Sequence, residues 1–120
     1  MVTPAQRIDD LGGFHDAKVK ALEFRLSQKS ILITLDDFYA NFRGDPEYTY
    51  ASGTVFFQSV QDLEVVLEDK DPGILTVYEI QVYDGADAVR FEIRLAPSGR
   101  ITGIAKSVSV TETREDIFRH

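Results

Sequence analysis

The sequence predicts a mainly β protein: about seven antiparallel strands in a sandwich, roll or small barrel, with one short N-terminal helix. Three observations lead there. Apolar and charged residues alternate strictly at 22–26 (LEFRL) and 89–95 (VRFEIRL), the period of a half-buried strand. Turn-forming residues recur at short intervals, at Ser27-Gln28-Lys29-Ser30, Lys70-Asp71-Pro72-Gly73, Asp84-Gly85 and Pro97-Ser98-Gly99-Arg100. The helix signal is short and confined to the N-terminus. With 120 residues the chain is long enough for one domain with a real core, residues 1–120, and too short for two.

The helix is expected over residues 4–11. Thr3 suits the cap, Pro4 the first helical position, and Gln6 can reach back to the cap amide. Ile8 and Leu11 fall on one face, and Gly12-Gly13 ends the helix. The first strand follows at 22–26. Val19 is out of phase with Leu22 and Phe24, so a bulge lies near Lys20-Ala21 or the strand starts late. Residues 31–35 (ILITL) are rich in β-branched side chains and form a hairpin with the first strand. The third strand is 53–58 (GTVFFQ), with Val55 and Phe57 on one side and Thr54 and Phe56 on the other.

Residues 60–68 (VQDLEVVLE) favour a strand by alternation of Leu63, Val65 and Leu67, but Glu and Leu also suit a helix. Residues 74–83 form the next strand. Asp84-Gly85 is a two-residue hairpin signal, because both central positions want positive φ. After the strand at 89–95 and its turn, residues 101–113 read as one long last strand, with Gly103 a bulge or a close contact. Residues 115–120 read as a loose tail.

Composition narrows the function classes. Apolar residues make up 43% and charged residues 28%, a globular profile. There is no cysteine, which removes disulfides and thiolate chemistry and fits a cytoplasmic protein. No apolar run has transmembrane length, and residues 1–10 (MVTPAQRIDD) lack the pattern of a secretory signal. The net charge is −7. That argues against nucleic acid or an anionic membrane as a partner, since basic patches read both. The charge is uneven: from Asp36 to Asp87 twelve acids face two bases, net −10, and the remainder is net +3. This asymmetry points to a cationic protein partner or to self-association as a homodimer; the plainer alternative is a solvated acidic face.

The candidate site follows from the same stretch. Residues 36–57 hold seven of the thirteen aromatics and four carboxylates against one base. Asp36, Asp37, Tyr39, Phe42, Asp45, Glu47 and Tyr48 are the candidate binding residues, with His15 beside them. The aromatics admit three readings: core, a hot spot for a protein partner rimmed by acids, or a stack for a planar ligand. The carboxylates could serve glycoside hydrolysis or bind Ca²⁺, but no specific pattern supports either, and no cofactor is expected. His15-Asp16 is the one base–acid pair. An extended chain points neighbours to opposite sides, so the pair reads first as a cap on backbone groups where the helix meets the first strand. G-x-G-x-x-G, P-loop, G-x-S-x-G and H-E-x-x-H patterns are absent.

The order Gly13-Phe14-His15-Asp16-Ala17, a hairpin, Leu35-Asp36-Asp37 and then Thr54-Val55-Phe56-Phe57 resembles a broad set of small, largely uncharacterised bacterial β-rich proteins. Some of these resemble immunity proteins of toxin systems. The resemblance covers roughly the first half of the chain. It implies a non-enzymatic binding protein and transfers no individual site residue. An acidic surface suits a basic partner such as a nuclease toxin. The alternative is a small-ligand-binding or hydrolytic β protein with a pocket near His15, Asp36 and Tyr48.

Overall fold

The computed structural model describes residues 3–38, 51–67 and 75–113. They form one short helix, α1 (Pro4–Asp10), and eight strands: β1 (Lys18–Arg25), β2 (Ser30–Asp36), β3 (Ser52–Gln58), β4 (Gln61–Val66), β5 (Thr76–Asp84), β6 (Val89–Ala96), β7 (Arg100–Ala105) and β8 (Ser107–Thr113). All eight belong to a single open sheet in the order β4-β7-β6-β5-β1-β2-β3-β8, and every pairing is antiparallel.

The local signals account for most element ends. Thr3 Oγ1 accepts the Gln6 N–H at 3.1 Å, and Pro4 opens α1. Gln6 does not reach back to the cap; its side-chain amide donates to Asp10 Oδ1 at 2.8 Å, one turn along. Gly12 and Gly13 both take positive φ, 69° and 65°, and carry the chain through a 3-10 turn into β1. The expected bulge is present: the β1–β2 register shifts between Val19 and Ala21, which rephases the first strand. Of the segment at 60–68, Gln61–Val66 is a strand.

Two further local expectations are overturned. Asp84 pairs with Val89, so it ends β5 and the connection is a four-residue loop, Gly85 to Ala88, in place of a two-residue turn. Glycine at 85 lets the chain pass the Ala88 carbonyl, where a Cβ would come within 2.6 Å. The long last strand is two strands broken at Lys106, because β7 pairs with β6 and β4 while β8 pairs with β3. The Lys106 N–H donates to the Gln58 carbonyl at 2.9 Å at this corner. The turn at 70–73 and the tail at 115–120 lie outside the described residues.

The sheet folds over on itself. Among the described residues its middle joint is one β1–β5 pair, Lys18 with Thr76, flanked by backbone hydrogen bonds from Asp16 and Val19 to the Val77 and Leu75 carbonyls and from Val77 to the Ala17 carbonyl. Four strand steps separate β3 from β6, roughly 19 Å if the sheet were flat. Yet Phe57 of β3 and Phe91 of β6 stack with ring centroids 4.3 Å apart. The inner face is therefore a shared core, including Ile31, Ile33, Leu35, Val55, Phe57, Ile80, Ile93 and Ile101, each at most 1% exposed. Ile8 of α1 and Phe14 of the turn close one end, with Phe14 against Phe38 at 4.5 Å. Burying such side chains is the main stabilising term, on the order of 1.5–3 kcal/mol each.

Candidate interaction edge

The two ends of the sheet differ in chemistry. At one end β8 carries Ser107, Ser109, Thr111 and Glu112. At the other, every residue of β4 (QDLEVV) is exposed. Register settles which way its side chains point. Val65 pairs with Ile101, a core residue, so Val65 lies on the core side, and Leu63 and Leu67 share that side by alternation. Glu64 pairs with Thr102 and Val66 with Arg100, on the outer face. Leu63 and Val65 remain 39% exposed, Val66 45% and Leu67 46%. The apolar face of the sheet thus runs out to its edge without being sealed there by the described residues.

The start of β4 is bent. The β4–β7 register shifts between Gln61 and Glu64, and Asp62 takes φ 53°, a left-handed conformation that Asp tolerates better than most residues. This bulge sets Asp62 on the rim of an open groove of ≈510 Å³ on the outer face, lined also by Tyr83, Arg90, Glu92, Thr102 and Ile104. Arg90 lies 5.9 Å from the Tyr83 ring centroid, and the Tyr83 hydroxyl donates to Gln81 Oε1 at 2.7 Å. Glu92 is paired with Arg94 at 3.2 Å and Arg100 at 4.0 Å. The groove is open to solvent and of mixed charge. It suits contact with the side chains of another chain better than the exclusion of water that catalysis needs.

His15 occupies a structural position. Its Nδ1–H donates to the Tyr78 carbonyl at 2.6 Å, and its ring meets the Tyr78 ring edge-on at 5.5 Å. Tyr78 is the extra residue of a bulge, since the β5–β6 register shifts between Val77 and Glu79. The Tyr78 carbonyl thus gains a partner in His15. The cap is on β5, not at the junction of helix and first strand as expected. Asp16 takes φ 71°, which breaks the extended alternation and leaves its carboxylate 3.6 Å from His15 Nε2, too far for a hydrogen bond.

Asp36 ends β2 opposite Lys18, and Asp37 follows with φ 55°; both are half-buried. Phe38 is in the core, its N–H donating to the Ala51 carbonyl at 2.8 Å. Tyr39, Phe42, Asp45, Glu47 and Tyr48 lie outside the described residues. Neither His15 nor Asp36 lines the groove or the smaller cavity of ≈210 Å³ between α1 and β5. Among the described residues no three His, Asp or Glu side chains gather as a metal site. No described helix is long and apolar enough to cross a membrane.

The β4 edge was hidden in the sequence by an ambiguity of its own pattern. Leu63, Val65, Val66 and Leu67 put apolar residues on both faces of one strand, which fits a strand buried on both sides as well as one left open. Neither a protein-family model nor a curated protein matches the chain.

Proposed function

We propose that the chain is a non-enzymatic protein-binding module whose partner is basic. The observation that supports this reading is the composition of β4 and its end: Leu63, Val65, Val66 and Leu67 stand exposed among Asp62 and Glu64, with no base in the strand. Exposed apolar side chains in a strand whose own charges are all acidic suit an interface in which apolar contact supplies affinity and charge supplies selectivity. The net charge of −7 extends the same preference over long range. Asp36 and Asp37 are a second acidic candidate for such a partner, and the acids that follow them in sequence, Asp45 and Glu47, add to its negative charge. An immunity-like role, neutralising a basic toxin in the cytoplasm, is the specific version of this reading.

The test is capture from a lysate of the source organism at low salt, with three baits: the wild-type chain, Val65→Lys, and Asp36→Asn/Asp37→Asn/Glu47→Gln. A basic protein held by the wild type, released by salt and lost from one variant supports the reading and says which surface binds. A bound set that is identical for all three baits overturns it.

A further inference from the structure

Among the described residues the core-side face of β4 ends an unfinished row. Register aligns Ile80 of β5, Ile93 of β6, Ile101 of β7 and Val65 of β4 side by side across the sheet. The first three are at most 1% exposed, and Val65 is 39% exposed. One more apolar side chain beside Val65 would continue the row and bury it. Leu63 and Leu67 flank Val65 on the same side and would be covered by the neighbours of that residue two positions away.

Among the described residues the backbone of β4 is equally unfinished. Alternate residues turn their N–H and C=O groups away from β7, and no described strand pairs with them. Natural sheet edges are usually blunted by lysine, proline, an inward charge or a covering segment. Residues 61–67 (QDLEVVL) contain no lysine and no proline. The β4–β7 register shifts once, between Gln61 and Glu64, and residues 64–66 pair regularly with β7 and with no other described strand.

We propose that the basic partner binds by adding an extended strand to β4, with apolar residues on the core side and Lys or Arg on the outer side. The outer side is where Glu64 stands, and Asp62 lies one bulge away. An opposite charge directly across a strand pair is favourable, and a like charge is not. The same charges argue against a second copy of this chain as the occupant. Pairing two copies of β4 would bring Asp62 and Glu64 of each toward the other, and would join two bodies of net charge −7. The inference rests on the protein-binding reading above and specifies its mode and the pattern of the partner.

The experiment uses the full chain and two labelled peptides, one alternating lysine with valine and one alternating glutamate with valine. Binding is followed by fluorescence anisotropy at low and high salt, and the contact is located by backbone amide shifts. The expected result is salt-sensitive binding of the lysine peptide alone, with shifts and amide protection concentrated at 63–67. Glu64→Lys should weaken the lysine peptide about tenfold and admit the glutamate peptide. Val65→Lys should abolish binding of both. Both positions are exposed, so the variants fold, and their unfolding curves verify it.

Lysine-peptide binding with shifts confined to Asp36 and Asp37 would overturn strand addition and leave the basic-partner reading standing. Absence of binding by either peptide at low salt would overturn both. A concentration-dependent dimer of the wild type, lost in Val65→Lys, would give the edge to a second copy and overturn the assignment of its occupant.

Discussion

Gly103 of β7 sits directly opposite Phe91 of β6, and a Cβ on it would lie 2.9 Å from the Phe91 ring. The missing side chain is what lets Phe91 lie flat over the neighbouring strand and reach Phe57 across the folded sheet. Gly103→Ala should therefore push the Phe91 ring off Phe57. We expect a loss of about 1–3 kcal/mol, the usual effect of overfilling a packed core. Urea unfolding checks it: a midpoint equal to that of the wild type would show that the ring moves freely and that this contact does not hold the two halves of the sheet together.

His15 should matter for stability and not for binding. Its hydrogen bond to the Tyr78 carbonyl serves a bulge in β5, away from β4. Both side chains are partly exposed, so water can replace the lost partner. His15→Ala should cost about 0.5–1.5 kcal/mol. The affinity for the lysine–valine peptide should stay at the wild-type value. A variant that keeps its stability but loses binding would return His15 to the functional surface.

Ser30 offers a gain. Its hydroxyl is buried at the start of β2, 5% exposed as a residue, and has no hydrogen-bond partner. A buried hydroxyl without a partner has lost its water and gained nothing in return. Ser30→Ala should raise stability by about 1 kcal/mol, read from the same urea titration. A destabilised variant would mean that the hydroxyl is hydrogen-bonded in solution, to a water that fills the site.

Thr3→Ala should loosen α1 at its start. The Thr3 hydroxyl accepts the Gln6 N–H, one of the amides that the first turn of a helix leaves without a partner. The loss should be about 1 kcal/mol. It should appear first as faster amide exchange in α1, because only Ile8 of that helix is buried. Exchange rates in α1 equal to those of the wild type would show that packing on β5 alone holds the helix.

Much of this fold was legible one element at a time. The alternation in 22–26 and 89–95 names strands because a pleated chain sends successive side chains to opposite faces, whatever surrounds it. The out-of-phase Val19 pointed to a bulge or a late strand start for the same reason, and the β1–β2 register decided for the bulge. Thr3, Pro4 and the two glycines marked the ends of α1 through preferences that act within a few residues. What sequence missed lies where distant segments meet. Residues 101–113 keep one strand pattern throughout, and the break at Lys106 exists only because β7 and β8 take different partners. Asp84-Gly85 is a good hairpin signal, and the extra pair between Asp84 and Val89 overrode it.

The candidate site divides in the same way. The charge of −7 and the crowding of acids between Asp36 and Asp87 are properties of the sequence, and the sign of charge in the proposed partner follows from them without any fold. Which apolar residues stay uncovered is not a local property. Val65 and Ile101 are both aliphatic, β-branched residues in strands, and they lie side by side. Ile101 is buried because β6 and β4 flank its strand, and Val65 is exposed because, among the described residues, only β7 flanks its own. Position in the strand order, set by pairings between residues far apart in the chain, turned one into core and the other into an edge.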